Sequence, residues 1–429
     1  MQKDRHDSIV LTVNSMENAR LTTIQPLPGS IPCFSLPRAL LFLILLLGIG
    51  AWQPPLQIAE AQTSGALRFT ESLKFQEISP GIQHGQISTG HASKDELTGP
   101  WFINALRIDL SRARIKIVHA LDEGVGLETV RSLAARYRAV AATNGGYFRV
   151  AGTYRGDSVG LLVVDHDLIS EPNNGRADFG LIDRGDKTEI VIGHLKFTAE
   201  IRVGSLKHAV QGLNRPLSPD ELIIFTPSFH RTTLTTHEGI EVIVRRNRII
   251  SIADLRGSSE VPRDGYVLSA VGKSRAWIKT HLRKGSKINF SWRLTSADPD
   301  QRAQWMSAYS MLGGGPQLIK SGKIDITNKQ EEMSPTFRTD RHPRTAIAKL
   351  ASGQLLLITV DGRQPGVSAG MSLEMLADVL LELGAVDAIN LDGGGSSTMV
   401  VRDKLVNRPS DQTGERPVSD AILVFSKPN

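Results

Sequence analysis

The chain has 429 residues, a formal net charge of +6, 40% hydrophobic residues and 22% charged residues. These values are ordinary for a globular protein, so they exclude a fibrous, disordered or polytopic membrane protein. Basic residues are scattered along the chain, which favours a solvated basic surface that mildly attracts anionic substrates. We therefore expect no nucleic-acid partner.

The N-terminal region contains one strongly apolar run, ALLFLILLLGIGAW at residues 39–52. This run is shorter than the roughly 20 residues that cross a bilayer, and it has the length of a signal-peptide core. The small-residue pattern at residues 59–61 predicts cleavage after Ala61 and export to the periplasm, cell envelope or extracellular space. The long segment before the run leaves open a start at Met16 or an uncleaved anchor, which would be the chain's contact with the membrane.

Cys33 is the single cysteine and lies before the apolar run. The exported part would therefore have no thiol, which excludes disulfides, cysteine-ligated zinc and thiolate nucleophiles. No cofactor is required by the sequence patterns. Calcium or magnesium is a possible ligand for carboxylates and carbonyls beside glycine loops, although no twelve-residue calcium loop or paired-histidine motif occurs.

Short β-like runs dominate the first part of the exported chain. Residues 62–98 are predicted to be an N-terminal β extension, with edge strands or a hairpin at residues 66–87. Residues 101–120 alternate around Ser111-Arg112 and predict a two-stranded antiparallel unit. A helix is expected to follow, from the helical spacing of Leu127, Val130, Leu133 and Ala134.

The remaining chain is predicted to form one continuous catalytic domain, residues 99–429, with a β-rich insertion at about residues 190–294. Turn residues separate β-branched runs throughout this insertion, so it should be nearly all β.

The C-terminal third predicts a strand, a helix and a second strand. Residues 354–360 form a continuous apolar run, typical of a strand buried on both faces. The helix should begin after Ser372 and end at Gly384, and a second buried strand should cover residues 386–391. This order indicates a βαβ crossover with parallel strands. The predicted fold class is α+β or mixed α/β, with a central mixed sheet, this C-terminal crossover and the β-rich insertion.

Asp361 and Asp392 each follow one of these two strands directly. Because the carboxyl ends of parallel strands meet at one edge, both carboxylates should face the same crevice. Either Asp-Gly pair alone is typical of a simple turn. Three glycines after Asp392, however, let backbone approach a ligand closely and offer N–H groups that suit phosphate.

Several segments in order resemble the phosphodiester glycosidase family, whose members cleave the bond between a sugar's anomeric carbon and a phosphodiester. The resemblance runs from about Pro100 to the C-terminus and is weaker in the insertion. Bacterial members are often described as exopolysaccharide biosynthesis proteins. A glycine that often follows Arg-Thr-Ala-Ile in the family is replaced here by Ala348-Lys349. The matching segments are Asn144-Gly-Gly-Tyr-Phe148, Gly313-Gly-Gly-Pro316, His342-Pro-Arg-Thr-Ala346, Asp361-Gly-Arg363, residues 368–377, Asn390-Leu-Asp-Gly-Gly-Gly-Ser-Ser397 and Arg416-Pro-Val-Ser419.

The resemblance and the residue types together suggest a division of labour. Asp392 would be the base or nucleophile and Asp361 its partner. Glu374 is a third candidate catalytic carboxylate, although a favourable interaction with the helix N-terminus explains it equally well. Arg344 and Arg363 would bind phosphate.

Other residues are predicted to contact substrate. Asn144 would bind a sugar hydroxyl, and His342 would be a hydrogen-bonding neighbour of Arg344 rather than a metal ligand. The remaining predicted contacts are Gly145, Gly146, Gly314, Gly315, Thr345, Gly393, Gly394 and Ser396. We expect all of these groups to line one pocket.

The expected function is hydrolysis of a sugar-1-phosphodiester, with a sugar phosphate or phosphoglycan of the cell envelope as the substrate. Two alternatives remain open. The first is a glycoside hydrolase that acts on a polysaccharide without phosphate. The second is a non-catalytic envelope protein that binds polysaccharide through the same loops.

The signal-peptide interpretation predicts that the exported chain starts near Gln62. Mass spectrometry of the protein recovered from its native envelope tests this. An intact terminus at Met1 or Met16 would instead support a membrane anchor.

Overall fold

The computed structural model describes residues 73–89 and 99–427, together with the backbone of a two-residue strand, Leu11–Thr12. The predicted cleavage site lies outside the described residues, as does part of the predicted N-terminal extension. Among the helices of the described part, none is both long and apolar enough to span a bilayer.

Strands predominate over helices. The strands are β1 (Leu11–Thr12), β2 (Phe75–Ser79), β3 (Ile82–Thr89), β4 (Trp101–Ile108), β5 (Ala113–His119), β6 (Ala141–Asn144), β7 (Leu162–Val164), β8 (Asp167–Ser170), β9 (Ala177–Asp183), β10 (Thr188–Val203), β11 (Leu206–Val210), β12 (Gly212–Leu213), β13 (Leu222–Phe225), β14 (Ile240–Arg245), β15 (Arg248–Asp254), β16 (Gly265–Ala270), β17 (Asn289–Ser296), β18 (Ala308–Gly313), β19 (Gln317–Lys320), β20 (Lys323–Ile324), β21 (Arg344–Leu350), β22 (Leu355–Val360), β23 (Ala385–Asn390), β24 (Met399–Val401), β25 (Lys404–Leu405) and β26 (Asp420–Ser426). The α-helices are α1 (Val130–Tyr137), α2 (Gly272–His281), α3 (Arg302–Ser307), α4 (Pro335–Thr339) and α5 (Leu373–Glu382).

The N-terminal hairpin is confirmed, since β2 and β3 pair antiparallel around the turn at Pro80-Gly81. The predicted pairing of β4 with β5 is wrong. Strand β4 pairs with β3 and β22, whereas β5 pairs with β26 in another sheet. The chain passes between the sheets at residues 109–112. Alternation of apolar residues predicts strands, but it does not select their partners, which here come from distant parts of the chain.

The central sheet has eight strands in the order β2-β3-β4-β22-β21-β23-β19-β20. Every neighbouring pair in it is antiparallel, so the expected mixed sheet is wrong. A second sheet has the order β25-β24-β6-β26-β5 and is also antiparallel. The described part of the chain is therefore an α+β structure in which these two sheets are antiparallel, whereas β12 and β13 of the insertion pair in parallel.

These two sheets pack face to face and are each covered by a helix. Leu357 and Ile389 of the central sheet share a buried apolar cluster with Ile422 of the second sheet. Ile358, on the opposite face of β22, packs in a separate cluster with Leu376 of α5. Helix α1 covers the outer face of the second sheet in the same way. The resulting layers are α/β/β/α, which explains why residues 355–360 are apolar on both faces.

The predicted helix of the C-terminal third is confirmed as α5. The Ser372 side chain accepts a hydrogen bond from Met375 N, and Gly384 follows the helix with φ +89°. Strands β22 and β23 run in the same direction because each pairs antiparallel with β21. They are not neighbours, however, since β21 lies between them. The simple parallel crossover is therefore not what the sheet contains.

The predicted insertion contains strands β10–β17 and one helix, α2. The expectation that it is nearly all β missed this helix. Its strands form a five-stranded sheet, β12-β13-β16-β14-β15, and part of an eight-stranded sheet that also contains β7, β8, β9 and β18. The long strand β10 pairs with β9 on one side and with β17 on the other, and so joins the insertion to the rest of the structure.

Exposed basic residues meet at one end of the insertion. Arg248 and Lys287 form an isolated β-bridge, and Arg248 Nη1 donates to Gly285 O at 3.2 Å. Arg246 and Lys284 are exposed in the same two loops. Backbone pairing thus brings basic residues together that are separate along the chain.

Candidate functional site

Three of the predicted motifs meet at one end of the central sheet. Strands β22 and β23 end there at Val360 and Asn390, and β21, which runs in the opposite direction, begins there at Arg344. Asp361 and Asp392 therefore emerge beside the His342-Pro343-Arg344 segment. The antiparallel neighbour between them, rather than a direct parallel pair, produces this arrangement.

Asn144 joins this sheet end to the second sheet. Its Nδ2 donates to Asp392 O at 2.7 Å, and its Oδ1 accepts from Thr345 Oγ1 at 2.9 Å and from Thr398 N at 3.1 Å. Asn144 and Thr345 are fully buried. Both side chains therefore hold the loops together, and their contacts with substrate stay predictions.

The first glycine turn packs on a buried carboxylate. Gly146 N donates to Asp420 Oδ1 at 2.7 Å, and a Cβ added to Gly145 would lie 2.1 Å from the same oxygen. Asp420 is 1% exposed, and burial raises its pKa. Close packing on Asp420 therefore accounts for Gly145. A Cβ added to Gly146 would lie 2.7 Å from Gly313 O, so packing on the second glycine turn accounts for that position.

The second glycine turn packs on β23. Gly315 N donates to Asn390 O at 2.7 Å, and a Cβ added to Gly314 would lie 2.7 Å from that carbonyl oxygen. Gly315 also has φ +111°, a conformation that favours glycine. These two glycines are needed for chain packing, and their contact with substrate stays a prediction.

The third glycine turn lies between Asp392 and two basic segments. Gly394 N donates to Pro343 O at 2.9 Å, and a Cβ added to Gly393 would lie 2.7 Å from that oxygen. A Cβ added to Gly394, which has φ +61°, would lie 3.2 Å from Arg363 Nη1. The absence of side chains here allows an arginine to approach the backbone next to Asp392.

Asp392 retains some exposure to solvent. Its Oδ1 accepts from Gly393 N at 2.9 Å. Burial raises the pKa of Asp392 to about 6, while a hydrogen bond with Ser396 and the charge of Arg416 oppose the rise. At neutral pH the carboxylate is therefore ionised, but it remains basic enough to accept a proton.

Asp361 is in a different environment. It is 1% exposed, its Oδ1 accepts from Asn407 Nδ2 at 3.0 Å, and its Oδ2 accepts from Arg408 N at 2.7 Å. Burial raises the pKa of Asp361 to about 6. Asn407 also donates to Ser397 O at 2.9 Å. Both carboxylate oxygens therefore hold a neighbouring loop, which gives Asp361 a structural use, and its catalytic role stays a prediction.

Arg344 is likewise committed to the fold. It is 1% exposed, its Nε donates to Met371 O at 2.9 Å, and its Nη2 donates to Phe337 O and Asp340 O at 2.8 and 2.9 Å. Burial lowers the pKa of Arg344 to about 10. Two of its three nitrogens hold the segments around α4 and α5, and its phosphate contact stays a prediction.

Arg363 and His342 form a pair at the exposed side of the site. Arg363 is exposed, and its Nη2 lies 3.3 Å from His342 Nδ1. Burial and the charges of Arg344 and Arg363 lower the pKa of His342, so its ring is neutral at pH 7. A neutral ring can accept a hydrogen bond from Arg363, which leaves the rest of that guanidinium free for an anion.

Glu374 lies in the first turn of α5 and pairs with Arg338. Burial opposes its ionisation, but the hydrogen bond from Arg338 and backbone contacts hold the pKa of Glu374 below its usual value. The ion pair and the helix N-terminus account for this residue. Its catalytic role stays a prediction.

Tyr147 and Asn390 were not predicted as site residues. Tyr147 OH donates to Gly315 O at 2.7 Å, and Asn390 Nδ2 donates to Tyr147 OH at 2.9 Å. Burial and the negative charge of Asp392 raise the pKa of Tyr147, so the phenol stays neutral. Both residues lie inside motifs that the sequence contained, but nothing in the pattern showed that they would meet.

Arg416 supports the loop after Asp392. Its Nε and Nη2 donate to Asp411 at 2.7 and 2.9 Å, and its Nη1 lies 3.4 Å from Ser396 Oγ. Ser396 is fully buried and hydrogen bonds the Asp392 carboxylate, so it helps to orient that side chain. The described residues include no group of three or more His, Cys, Asp or Glu side chains that could hold a metal ion.

Parts of the chain are similar to known proteins. Residues 238–425 match the family described as phosphodiester glycosidase. N-acetylglucosamine-1-phosphodiester alpha-N-acetylglucosaminidase from Bos taurus is 39% identical over 110 residues, which cover 24% of this chain and 20% of that enzyme. The match therefore spans about a fifth of the length of this relative. The motif at residues 144–148 lies before the matched family region.

Two solved structures share the fold. A hypothetical protein from Synechocystis has a TM-score of 0.70 at 24% identity, over 83% of this chain and 64% of that protein. A protein from Burkholderia pseudomallei has a TM-score of 0.70 at 23% identity, over 82% of this chain and 96% of that protein. These similarities concern the fold alone.

The different surroundings of the two aspartates predict different effects on stability. Asp361→Ala removes an acceptor from the buried Asn407 amide and from Arg408 N and leaves a space in a buried site, which should lower the free energy of unfolding by about 2–4 kcal/mol. Asp392→Asn keeps the side-chain shape and should change it by less than about 1 kcal/mol. Urea unfolding, with the exposed Asp186→Ala as control, measures this difference. Equal stability of Asp361→Ala and the unmodified chain would contradict the structural role.

Proposed function

We propose, on the premise that residues 238–425 belong to the phosphodiester glycosidase family, that this chain hydrolyses the glycosidic bond of a sugar-1-phosphodiester. The substrate class is a phosphate-bearing glycan of the cell envelope or extracellular space. The observation that carries the proposal is Asp392, a partly exposed residue whose carboxylate has a pKa raised to about 6, next to a glycine turn that Arg363 approaches.

The chemistry places opposite charges at two ends of the breaking bond. The anomeric carbon becomes positive in an oxocarbenium-like transition state, and the bond electrons pass to the phosphate oxygen. A phosphate leaving group needs little protonation, so a strong general acid is unnecessary. Asp392 would stabilise the positive carbon, as a nucleophile or as the base that activates water. Arg363 would neutralise the phosphate.

The neighbours of these groups keep them in place. The backbone carbonyl of Asp392 accepts from Asn144, while Ser396 and Gly393 hydrogen bond its carboxylate. His342 accepts a hydrogen bond from Arg363. Fixed groups of this kind need little reorganisation during the reaction, which is how electrostatic catalysis gains its effect.

Export is part of the proposal. It is supported by the apolar run at residues 39–52 and the small-residue pattern at residues 59–61. A location outside the cytoplasm would place the enzyme beside envelope phosphoglycans.

The proposed roles predict a clear separation in mutant kinetics. Asp392→Asn should lower kcat on a sugar-1-phosphodiester by on the order of a hundredfold or more, with little change in KM, because Asp392 meets charge that develops in the transition state. In the unmodified enzyme kcat should rise as the pH increases through about 6, because Asp392 acts when ionised. This rise of kcat with pH should be absent in Asp392→Asn.

Arg363→Ala provides the contrast, since phosphate is charged already in the bound substrate. It should raise KM as well as lower kcat. Near-normal kcat in Asp392→Asn would contradict the assignment. Neutral glycosides of the same sugar should be assayed in parallel: their preferential cleavage would favour an ordinary glycoside hydrolase, and no cleavage of either class would favour a binding protein.

A further inference from the structure

One arginine near the site lies outside every motif. The guanidinium carbon of Arg176 stands 5.5 Å from the centroid of the Tyr147 ring. Arg176 is half-buried. It precedes β9 in a turn where Arg176 N donates to Asn173 O at 2.9 Å and Gly175 has φ +97°. A cation above the face of an aromatic ring is favourably placed, so the ring helps to orient the guanidinium.

Tyr147 connects this arginine to the proposed site. Its hydroxyl bonds to the carbonyl of Gly315 and to the amide of Asn390, which lies two residues before Asp392. The charges of both Asp392 and Arg176 act on the Tyr147 hydroxyl. Arg176 therefore lies on the ring that links the second glycine turn to the strand leading into Asp392.

The backbone beside Arg176 is held on both sides. Ala177 N donates to Glu331 Oε2 at 3.2 Å, and Ala177 O accepts from Gly314 N at 2.9 Å. The Glu331 side chain is fully buried and also accepts from Gln317 N at 2.8 Å. These bonds lock the start of β9 to the second glycine turn. The position of Arg176 is consequently set by the fold.

The guanidinium has no counter-charge within the described residues. Among the partly buried arginines, Arg149 pairs with Asp157, and Arg215 pairs with Glu171 and Glu221. Arg107 resembles Arg176, since its guanidinium lies over an aromatic ring, that of Phe75 in the N-terminal hairpin. For Arg176, the described part of the chain provides the Tyr147 ring but no side-chain hydrogen bond and no ion pair. An arginine kept half-buried without a carboxylate partner retains its planar fork of donors for an anion.

We infer that Arg176, lying on the face of Tyr147, binds the non-bridging phosphate oxygens of the substrate and makes the enzyme select anionic leaving groups. This inference rests on the proposed function. Arg176 lies outside residues 238–425, so the family match does not include it. It would act with Arg363, which approaches the third glycine turn, and it takes the place predicted for Arg344, whose guanidinium is bound to backbone carbonyls.

The first test is kinetic. On the best-cleaved member of a panel of hexose-1-phosphate methyl esters, Arg176→Ala should raise KM by about ten- to a hundredfold, the loss expected for charge-assisted hydrogen bonds. Arg176→Lys should lose less, because it keeps the charge without the fork. Cleavage of a neutral nitrophenyl glycoside of the same sugar should not change. The matched control, Arg256→Ala, removes an exposed arginine of the insertion and should behave as the unmodified enzyme.

Unchanged KM in Arg176→Ala, or an equal loss on the neutral glycoside, would overturn the inference. A second test does not depend on turnover: titration with methyl phosphate should show at least about tenfold weaker binding to Arg176→Ala than to the unmodified chain. If the unmodified chain cleaves no phosphodiester but shows this difference in binding, the proposed function fails and the phosphate site stands. Equal binding of methyl phosphate by both proteins would contradict a phosphate site at Arg176.

Discussion

The side chain of Asn144 joins two sheets at the point where the proposed chemistry takes place. Its amide binds the backbone of Asp392 and Thr398 and the hydroxyl of Thr345, and it is fully buried. A buried amide without such partners would cost folding free energy. These bonds therefore hold the segments at Asn144, Thr345 and Asp392 in one arrangement. The close approach of the chain around Asn144 in turn requires glycines beside it. The three glycine turns are therefore consequences of packing as well as possible contacts for substrate.

The two aspartates that a linear motif presents as a pair are separated by their hydrogen bonds. Asp361 gives both oxygens to the loop at Asn407 and Arg408, whereas Asp392 keeps contact with solvent and has Gly393 and Ser396 as carboxylate neighbours. Burial raises the pKa of both groups to about 6. A raised pKa alone therefore does not distinguish a reactive carboxylate from a structural one. The two aspartates differ in exposure to solvent, since Asp392 is partly exposed and Asp361 is buried.

The arginines also differ in whether their hydrogen-bond donors are already used within the fold. Arg344 stands in a recognisable motif, but its donors are used by backbone carbonyls around α4 and α5. Arg176 has no motif, yet its guanidinium lies on Tyr147 without a carboxylate partner in the described part of the chain. The proposed phosphate site thus combines Arg363 from the C-terminal segment with a residue from a turn far earlier in the sequence.

Local patterns predicted local structure well and distant pairing poorly. Helix α5, its Ser372 cap and the buried strand before it follow from periodicity and capping within a few residues. The position of β21 between β22 and β23 depends on long-range pairing, which no local pattern contains. For the site, the strand-end position of Asp392 was predictable. The structural use of Asn144 and Asp361 was not, because it depends on partners from other sheets and loops.

The central claim is that water attacks the sugar and not the phosphorus, and the position of oxygen exchange tests it most directly. A sugar-1-phosphodiester should be hydrolysed in ¹⁸O-labelled water and the phosphate monoester product examined by ³¹P NMR. Cleavage of the bond between the anomeric carbon and oxygen leaves every phosphate oxygen unlabelled, so we predict no isotope shift. A shifted phosphorus signal would show cleavage of the phosphorus–oxygen bond and would contradict a glycosidase mechanism.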